Sequence, residues 1–163
     1  PRRRGVFPTG PEGEVMAKKI VRSDKVAPAI GPYSLAVRSG NFIFVSGTVG
    51  WRADRQVPSD FREQARQVYE NVKAILAAEG ASMGDVVSTT TYLVRAADYP
   101  VLNEVRGGYF QKDPPASAVV VVKELVRPDL LVEVEAVAEA PSGRAGAGKV
   151  TRKARRVSPR GRH

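Results

Sequence analysis

The stretch KDPPASAVVVVKEL, residues 112–125, places four consecutive valines, Val119 to Val122, shortly after two prolines. Prolines end a preceding helix, and a short run of β-branched apolar residues is typical of a strand that is buried on both faces. We therefore predict a strand here that needs a covering layer on each side. The start of the strand contains only Ala116, Ser117 and Ala118, whose side chains are small and uncharged.

Two helices are predicted upstream of this strand. The first runs from Asp60 to Gly80, because apolar residues recur there at steps of three and four. Asp60 with Glu63 resembles a capping box, and Gly80 supplies the stop. The second follows Asp98, a predicted N-cap, with Pro100 in its first turn. The apolar positions are Phe61, Ala65, Val68, Val72, Ile75 and Leu76 in the first helix, and Leu102, Val105, Tyr109 and Phe110 in the second.

Four more runs have the composition of strands. They are SLAVRSG (34–40) and NFIFVSG (41–47), separated by a tight-turn signal, and later DVVSTTTYLVR (85–95) and LLVEVEAVA (130–138). The resulting order, β-β-α-β-α-β-β, predicts an α+β sandwich with both helices on one face of a mixed sheet. Two helices cover one face only, so we expect a second copy of the chain to cover the other, which predicts a homo-oligomer.

The charge of the chain is concentrated at its C-terminal end. Of the net +9, residues 142–163 contribute eight basic side chains and no acid, and residues 1–15 contribute +1. Residues 16–141 carry 15 basic and 15 acidic side chains and form the single predicted domain. Both flanks lack the apolar residues of a core and are predicted to be disordered, and residues 1–15 are interpreted as an extension before a natural start at Met16.

Several kinds of site are excluded by composition. The absence of cysteine excludes a disulfide, a thiolate nucleophile and a zinc–thiolate site. The one histidine, His163, lies in the tail, so the domain has no Ser-His-Asp set, and we expect no metal site. No apolar run approaches the roughly 18 residues of a membrane span, and residues 1–15 lack the apolar stretch typical of a secretory signal. We expect a cytoplasmic protein without a membrane partner.

Residues 18–138 resemble the RidA family, the reactive intermediate or imine deaminases formerly called YjgF. The segments that carry the resemblance are collinear: APAIGPYSLAV, FVSGTVG, QARQVYENVKAILAAEGAS, DVVSTTTYLV, PPASAVVVVKEL and LLVEVEAVA. The resemblance implies a chorismate-mutase-like fold and a homotrimer, in which the sheets form a central barrel with ligand clefts between subunits. It also implies hydrolysis of enamines or imines such as 2-aminoacrylate to a 2-keto acid and ammonia, without cofactor or metal.

The resemblance implies two catalytic residues, Glu133 and Tyr33. Alternation in the last strand puts Glu133 and Glu135 on one face, about 7 Å apart, where a partly buried carboxylate has a raised pKa and can move a proton. The residues alone favour the alternative of two solvated edge charges, whereas the resemblance selects Glu133, which matches the family's glutamate. For Tyr33 the alternative is a ring that packs over the start of a strand.

The predicted substrate-binding residues come from three segments. Backbone donors are expected at the end of the second strand, where glycine permits close approach, and a polar side chain of the second helix is expected to point into the cleft. An ordinary turn and a solvated helix face are the respective alternatives. The residues are Ser46, Gly47, Asn103, Ser117 and Val119.

Ser117 stands where active members of the family have an arginine that holds the substrate carboxylate. Replacing a two-pronged guanidinium by one hydroxyl lowers carboxylate affinity on the order of a hundred- to a thousandfold. The sequence resembles a branch with Ala or Ser at this position and a longer segment, KELVRPDLL, before the last strand. Arg52 and Arg106 are two arginines that could supply the missing charge, of which Arg52 is the first hypothesis.

Three functions follow from these observations. The first is cofactor-independent hydrolytic deamination of enamine or imine intermediates, with weak dependence on carboxylate capture. The second is a trimer that binds a metabolite without converting it. The third is RNA binding through the basic tail. The domain itself is neutral, so it offers no basic patch that would extend an RNA-binding surface, and this counts against the third function. A solubilising or incidental extension is the preferred interpretation of the tail, so we expect a small-molecule partner rather than nucleic acid.

Overall fold

The computed structural model describes residues 18–141. This part of the chain contains six strands and two α-helices, with short 3₁₀ turns at Met83–Asp85 and Ala96–Asp98. The predicted α+β architecture is confirmed, with one additional strand at the start, which three residues are too few to reveal by periodicity. In chain order the elements are β1 (Lys19–Val21), β2 (Ala36–Ser39), β3 (Phe42–Val49), α1 (Phe61–Ala77), β4 (Val86–Leu93), α2 (Tyr99–Tyr109), β5 (Ala116–Val121) and β6 (Val132–Glu139).

The strands form one mixed sheet in the order β1-β2-β3-β6-β4-β5. Only β4 and β5 pair in parallel, and α2 makes the crossover between them. The last strand, β6, is inserted between β3 and β4 and pairs antiparallel with both. β2 and β3 form the predicted hairpin, in which Ser39 pairs with Phe42 and Gly40 has a φ of 57° that suits glycine. β6 is therefore an interior strand of the sheet, and α1 packs against it and against β3.

α1 lies against the sheet with its apolar stripe facing β3 and β6. All six apolar positions predicted for it are buried. The carboxylate of Asp60 accepts a hydrogen bond from the backbone N–H of Glu63 at 3.1 Å, which satisfies one of the free donors of the first turn. Beyond the last turn, Gly80 adopts a φ of 75° and turns the chain away from the helix axis. The predicted N-cap and the predicted stop are both present, but the capping box is incomplete: among the described residues the Glu63 carboxylate accepts from Arg66 at 3.1 Å and not from the backbone of Asp60.

α2 is held on α1 by aromatic contacts. Leu102 and Val105 are buried, and Tyr109 stacks on Tyr69 of α1 with ring centroids 5.1 Å apart. The prediction that Asp98 is the N-cap of this helix is right in position, but the expected side-chain hydrogen bond is not formed. Asp98 occupies the N-cap position but makes no capping hydrogen bond, because its carboxylate accepts two bonds from Arg95, at 2.8 and 3.2 Å.

The valine strand β5 is an edge strand in the single chain. It pairs only with β4 among the described residues, and Val120 and Val121 remain 45% and 53% exposed. The prediction of a strand buried on both faces is therefore wrong for one chain taken by itself. On the face that the helices leave open, Phe44 of β3 is also 48% exposed. The structure thus contains the uncovered apolar face from which the sequence predicted an oligomer.

Two groups of predictions lie outside the described residues. They concern residues 1–15 and the basic tail, residues 142–163. Among residues 18–141, no helix has the length and apolar composition needed to cross a membrane.

Candidate functional site

A largely apolar cavity of about 410 Å³ opens where the segment before β2 meets β3 and β6. Four of the predicted site residues line it: Tyr33, Ser46, Gly47 and Glu133. Glu133 is the only charged side chain among the described residues of the lining. The cavity therefore combines an apolar wall with one ionisable group.

Glu133 projects from β6 between two buried valines, Val132 and Val134, and so lies on the sheet face opposite the helices. Burial raises the pKa of the Glu133 carboxyl, and the negative charge of Glu135, two residues along the strand, raises it further. Glu135 itself is exposed and accepts a hydrogen bond from the hydroxyl of Tyr92 at 3.2 Å. Of the two glutamates on this face, Glu133 is thus the one suited to accept and return a proton.

Gly47 provides the space for the Glu133 carboxylate. A Cβ atom at position 47 would lie 1.9 Å from Oε1 of Glu133, a distance that no side chain tolerates. The pairing of β3 with β6 shifts register between Val45 and Thr48, so Ser46 and Gly47 sit in a β-bulge. Bulge and glycine together allow the carboxylate to lie directly over the backbone of β3.

Ser46 and Tyr33 shape the entrance of this cavity. The Ser46 hydroxyl donates to the carbonyl of Ser34 at 2.7 Å, and its backbone N–H donates to the carbonyl of Leu35 at 3.0 Å. Both donors therefore anchor the segment before β2. Tyr33 is 48% exposed, and its backbone N–H bonds to the carbonyl of Gly31 at 2.8 Å. Its ring stands at the mouth of the cavity.

Two buried amides of α1 support the cavity, and the sequence analysis missed both. The Nδ2 of Asn71 donates to the carbonyls of Val49 and Trp51, at 3.0 and 2.8 Å. Gln64 is fully buried, and its three hydrogen bonds hold the two loops that precede α1 and β6. A signal was available, because polar residues at both positions interrupt the apolar stripe of the helix.

A second cavity, of about 400 Å³, lies between α2 and β5. It is lined by two predicted binding residues, Asn103 and Ser117, together with Arg106. Nη1 of Arg106 donates to Oγ of Ser117 at 3.1 Å, and the Thr89 hydroxyl donates to the same oxygen at 3.2 Å. Arg106 is the only charged side chain of the described lining, so this cavity is positive where the first is negative.

The strand register explains why the predicted site residues form two groups. Ser117 pairs with Thr89, which pairs with Ala136 on β6, and Thr89 and Ala136 are both buried under the helices. Ser117 therefore faces the helical layer, whereas Glu133 faces the other side of the sheet. Val119 lines neither cavity and packs against the core.

Comparison with known proteins places this geometry in a family. Residues 24–140 match the family described as Endoribonuclease L-PSP. The chain belongs to this family, which includes the RidA (YjgF) proteins. A RutC family protein of Pyrococcus abyssi is 43% identical over 125 residues, which cover 76% of this chain and 98% of that protein. A 2-iminobutanoate/2-iminopropanoate deaminase of Dermatophagoides farinae is 38% identical over 125 residues, which cover 75% of this chain and 97% of that protein.

The solved structures of this family agree with the fold. Escherichia coli TdcF with bound serine superposes with a TM-score of 0.71 at 35% identity, over 74% of this chain and 98% of that one.

In this RidA-family chain, Arg52 is exposed and lines neither cavity, whereas Arg106 contacts Ser117 directly. The hypothesis that Arg52 compensates for Ser117 therefore has no geometric support in the described residues.

Proposed function

We propose that the protein hydrolyses small imines, and the enamines that tautomerise to them, to keto compounds and ammonia. The observation that carries this proposal is the position of Glu133, a half-buried carboxylate with a raised pKa above Gly47 in an apolar cavity. Proton transfer is most efficient when the pKa of the catalytic group lies near the working pH, and burial moves a carboxyl group in that direction.

The reaction needs one water molecule and one group that can take and return a proton. Glu133 accepts a proton from water as the oxygen attacks the C=N carbon, and the nitrogen is protonated to give a carbinolamine. Glu133 then moves the proton of the carbinolamine hydroxyl to the nitrogen, which becomes NH3+. The C–N bond breaks, ammonia leaves with the electron pair of that bond, and the C=O bond forms from the electron pair on oxygen. The apolar wall of the cavity limits competing solvent and strengthens the interaction of the carboxylate with the water.

The relatives support this class of substrate. The D. farinae protein is named for two 2-imino acids, and the TdcF structure contains serine, an amino acid of similar size. All three compounds carry a nitrogen and a carboxylate on the same carbon atom. We infer that the ligand of this chain belongs to the same class of small 2-imino acids.

We also propose that the chain works as a homotrimer. The exposed strand β5 and the exposed Phe44 and Val120 are the surface that a second copy would cover. Because Glu133 and Arg106 lie in different cavities of one chain, contact between copies would let the acid of one subunit face the cation of another. Sedimentation at micromolar concentration is expected to give three times the mass of the chain, and a single-chain mass would contradict this part of the proposal.

The catalytic proposal is tested by keto acid formation from enzymatically generated iminopropionate. We expect wild type to exceed the rate in buffer and Glu133→Gln to lose at least about a hundredfold of that acceleration, the usual contribution of a general acid–base group. Glu139→Gln, the same change at the exposed end of β6, is the matched control and should keep the wild-type rate. A wild-type rate equal to that of the buffer, or full activity of Glu133→Gln, would refute the proposal.

One observation favours a second candidate, a protein that binds a metabolite without converting it. Ser117 offers a single neutral hydroxyl at the mouth of β5, and Arg106 and Thr89 already bind that oxygen. This candidate predicts that a small 2-keto acid raises the melting temperature while no imine is hydrolysed faster than in buffer.

A further inference from the structure

Arg106 is partly buried and forms no ion pair with a carboxylate of residues 18–141. Nine arginines lie in residues 18–141, and five of them form ion pairs with carboxylates within 4.0 Å. Of the four that do not, Arg22, Arg52 and Arg55 are exposed to solvent, and only Arg106 is partly buried. Partial removal of a guanidinium from water without a counter-charge costs free energy, so such an arrangement favours an anionic partner.

The guanidinium of Arg106 is held in place from two sides. Nη1 donates to Ser117, whose oxygen also accepts from Thr89, and the group lies 5.9 Å from the centre of the Tyr99 ring. A guanidinium has five N–H donors, and Ser117 is the only side chain among the described residues that accepts from this one. The remaining donors are free to form a two-pronged contact with a carboxylate.

The cavity around Arg106 also contains an unused acceptor. Asn103 precedes Arg106 by three residues, so the two side chains lie on the same face of α2. Oδ1 of Asn103 is buried and has no hydrogen-bond partner among residues 18–141. Pro114 and Pro115 form the opposite wall and carry no backbone donor that could fill this role. A ligand that joins an N–H donor to a carboxylate would satisfy both groups at once.

We propose that Arg106 binds the carboxylate of the substrate, with Ser117 positioning its guanidinium and Asn103 accepting from the substrate nitrogen. In this chain, the positive charge that holds the substrate carboxylate then comes from helix α2. The inference deepens the proposed function, on which it rests for the class of ligand. An arginine near the end of a helix also interacts favourably with the helix dipole, so the test must separate ligand binding from fold stability.

The separating experiment compares two ligands of equal shape and different charge, pyruvate and pyruvamide, titrated into the full chain and followed by NMR. We expect wild type to bind pyruvate at least about tenfold more tightly than pyruvamide, equal to about 1.4 kcal/mol. Arg106→Ala should abolish this preference, because it should weaken the binding of pyruvate and leave the binding of pyruvamide unchanged. Arg106→Lys should keep part of it, because a single ammonium retains the charge without the planar fork.

Two further variants locate the charge. Arg106→Ala/Ser117→Arg moves the guanidinium to the strand residue that Arg106 contacts, and it should restore the preference for pyruvate. Arg52→Ala removes an exposed arginine that lines neither cavity, and it should bind both ligands as wild type does. The inference is overturned if wild type shows no preference, if Arg106→Ala keeps it, or if Arg52→Ala loses it. Equal weakening of both ligands in Arg106→Ala would assign Arg106 to the fold and would also overturn the inference.

The binding experiment requires no turnover, so it fails independently of the proposed function. A wild-type protein that prefers pyruvate but does not hydrolyse imines leaves the inference standing and removes the enzymatic proposal. A wild-type protein that hydrolyses iminopropionate, with an unchanged KM in Arg106→Ala, leaves the enzymatic proposal standing and removes the inference.

Discussion

Replacing Gly47 by alanine is the perturbation that most directly separates the position of Glu133 from its presence. The new Cβ would lie 1.9 Å from Oε1 of Glu133, whereas ordinary contacts begin at 3.4 Å, so the carboxylate has to move by about 1.5 Å. Gly47 does not have a positive φ, which means that alanine can adopt its backbone conformation. The atom that has to yield is the end of a flexible side chain, so the fold absorbs the change by rotating Glu133.

The expected result is a large loss of rate with a small loss of stability. Displacing a catalytic group by 1 Å can cost about a hundredfold in rate, or about 2.7 kcal/mol in the activation barrier. A strained rotamer costs only about 0.5–1.5 kcal/mol in the free energy of unfolding. The two quantities are measured as the kcat for keto acid formation from iminopropionate and as the midpoint of urea unfolding.

A matched control and a double variant make the result decisive. Gly108→Ala adds a methyl group to an exposed position of α2 with no atom within 4 Å, and it should keep the wild-type rate while gaining about 0.5–1 kcal/mol of stability. Gly47→Ala should have no further effect in Glu133→Gln, because both changes remove the same function. The reasoning is refuted if Gly47→Ala retains the wild-type kcat, or if its loss of activity only follows a loss of folded protein.

Three further predictions concern stability and assembly. Glu133→Gln should unfold at higher urea concentration than wild type at pH 7, since ionised Glu133 is unfavourable in the folded state. The difference should vanish as the pH falls below the ordinary carboxyl range, where both states are protonated, and a pH-independent difference would contradict the raised pKa. Gln64→Ala should lower the free energy of unfolding by about 3 kcal/mol, because it leaves buried loop groups without partners, and a loss below about 1 kcal/mol in urea unfolding would show that water replaces the amide. Val120→Glu, an exposed position of β5, should leave the circular dichroism spectrum unchanged but give a single-chain mass in sedimentation, and an unchanged mass would place the contact between copies elsewhere.

The sequence predicted the elements whose periodicity is long and whose burial is decided within one chain. α1 offers seventeen residues of amphipathic pattern, and β6 alternates over eight residues, with Glu133 and Glu135 on the open side. β1 has only three residues, too few for a period to emerge. The valines of β5 predict a covered strand, whereas the single chain leaves Val120 and Val121 exposed, and composition alone does not say whether a second copy supplies the cover.

The arrangement of the candidate site depended on information that no local pattern contains. Ser117 meets Thr89 because β4 and β5 pair in parallel in one particular register, and that register is set by the whole sheet. The choice of Arg106 over Arg52 was accessible in part, since Arg106 shares a helix face with Asn103. What decides between them is the exposure of Arg52 and the contact of Arg106 with Ser117, and both are tertiary facts.

The distribution of charge between the two cavities connects chemistry with assembly. Among the described residues, the lining of the first cavity contains one charged group, Glu133, and that of the second contains one charged group, Arg106. Hydrolysis of an imino acid needs a proton acceptor beside the C=N carbon and a cation beside the carboxylate, which is attached to that same carbon. One chain offers these two groups on opposite faces of its sheet, so neither cavity alone meets both requirements. If the proposed function is correct, contact between copies therefore creates the active site, and catalysis should disappear upon dissociation while each chain is still folded.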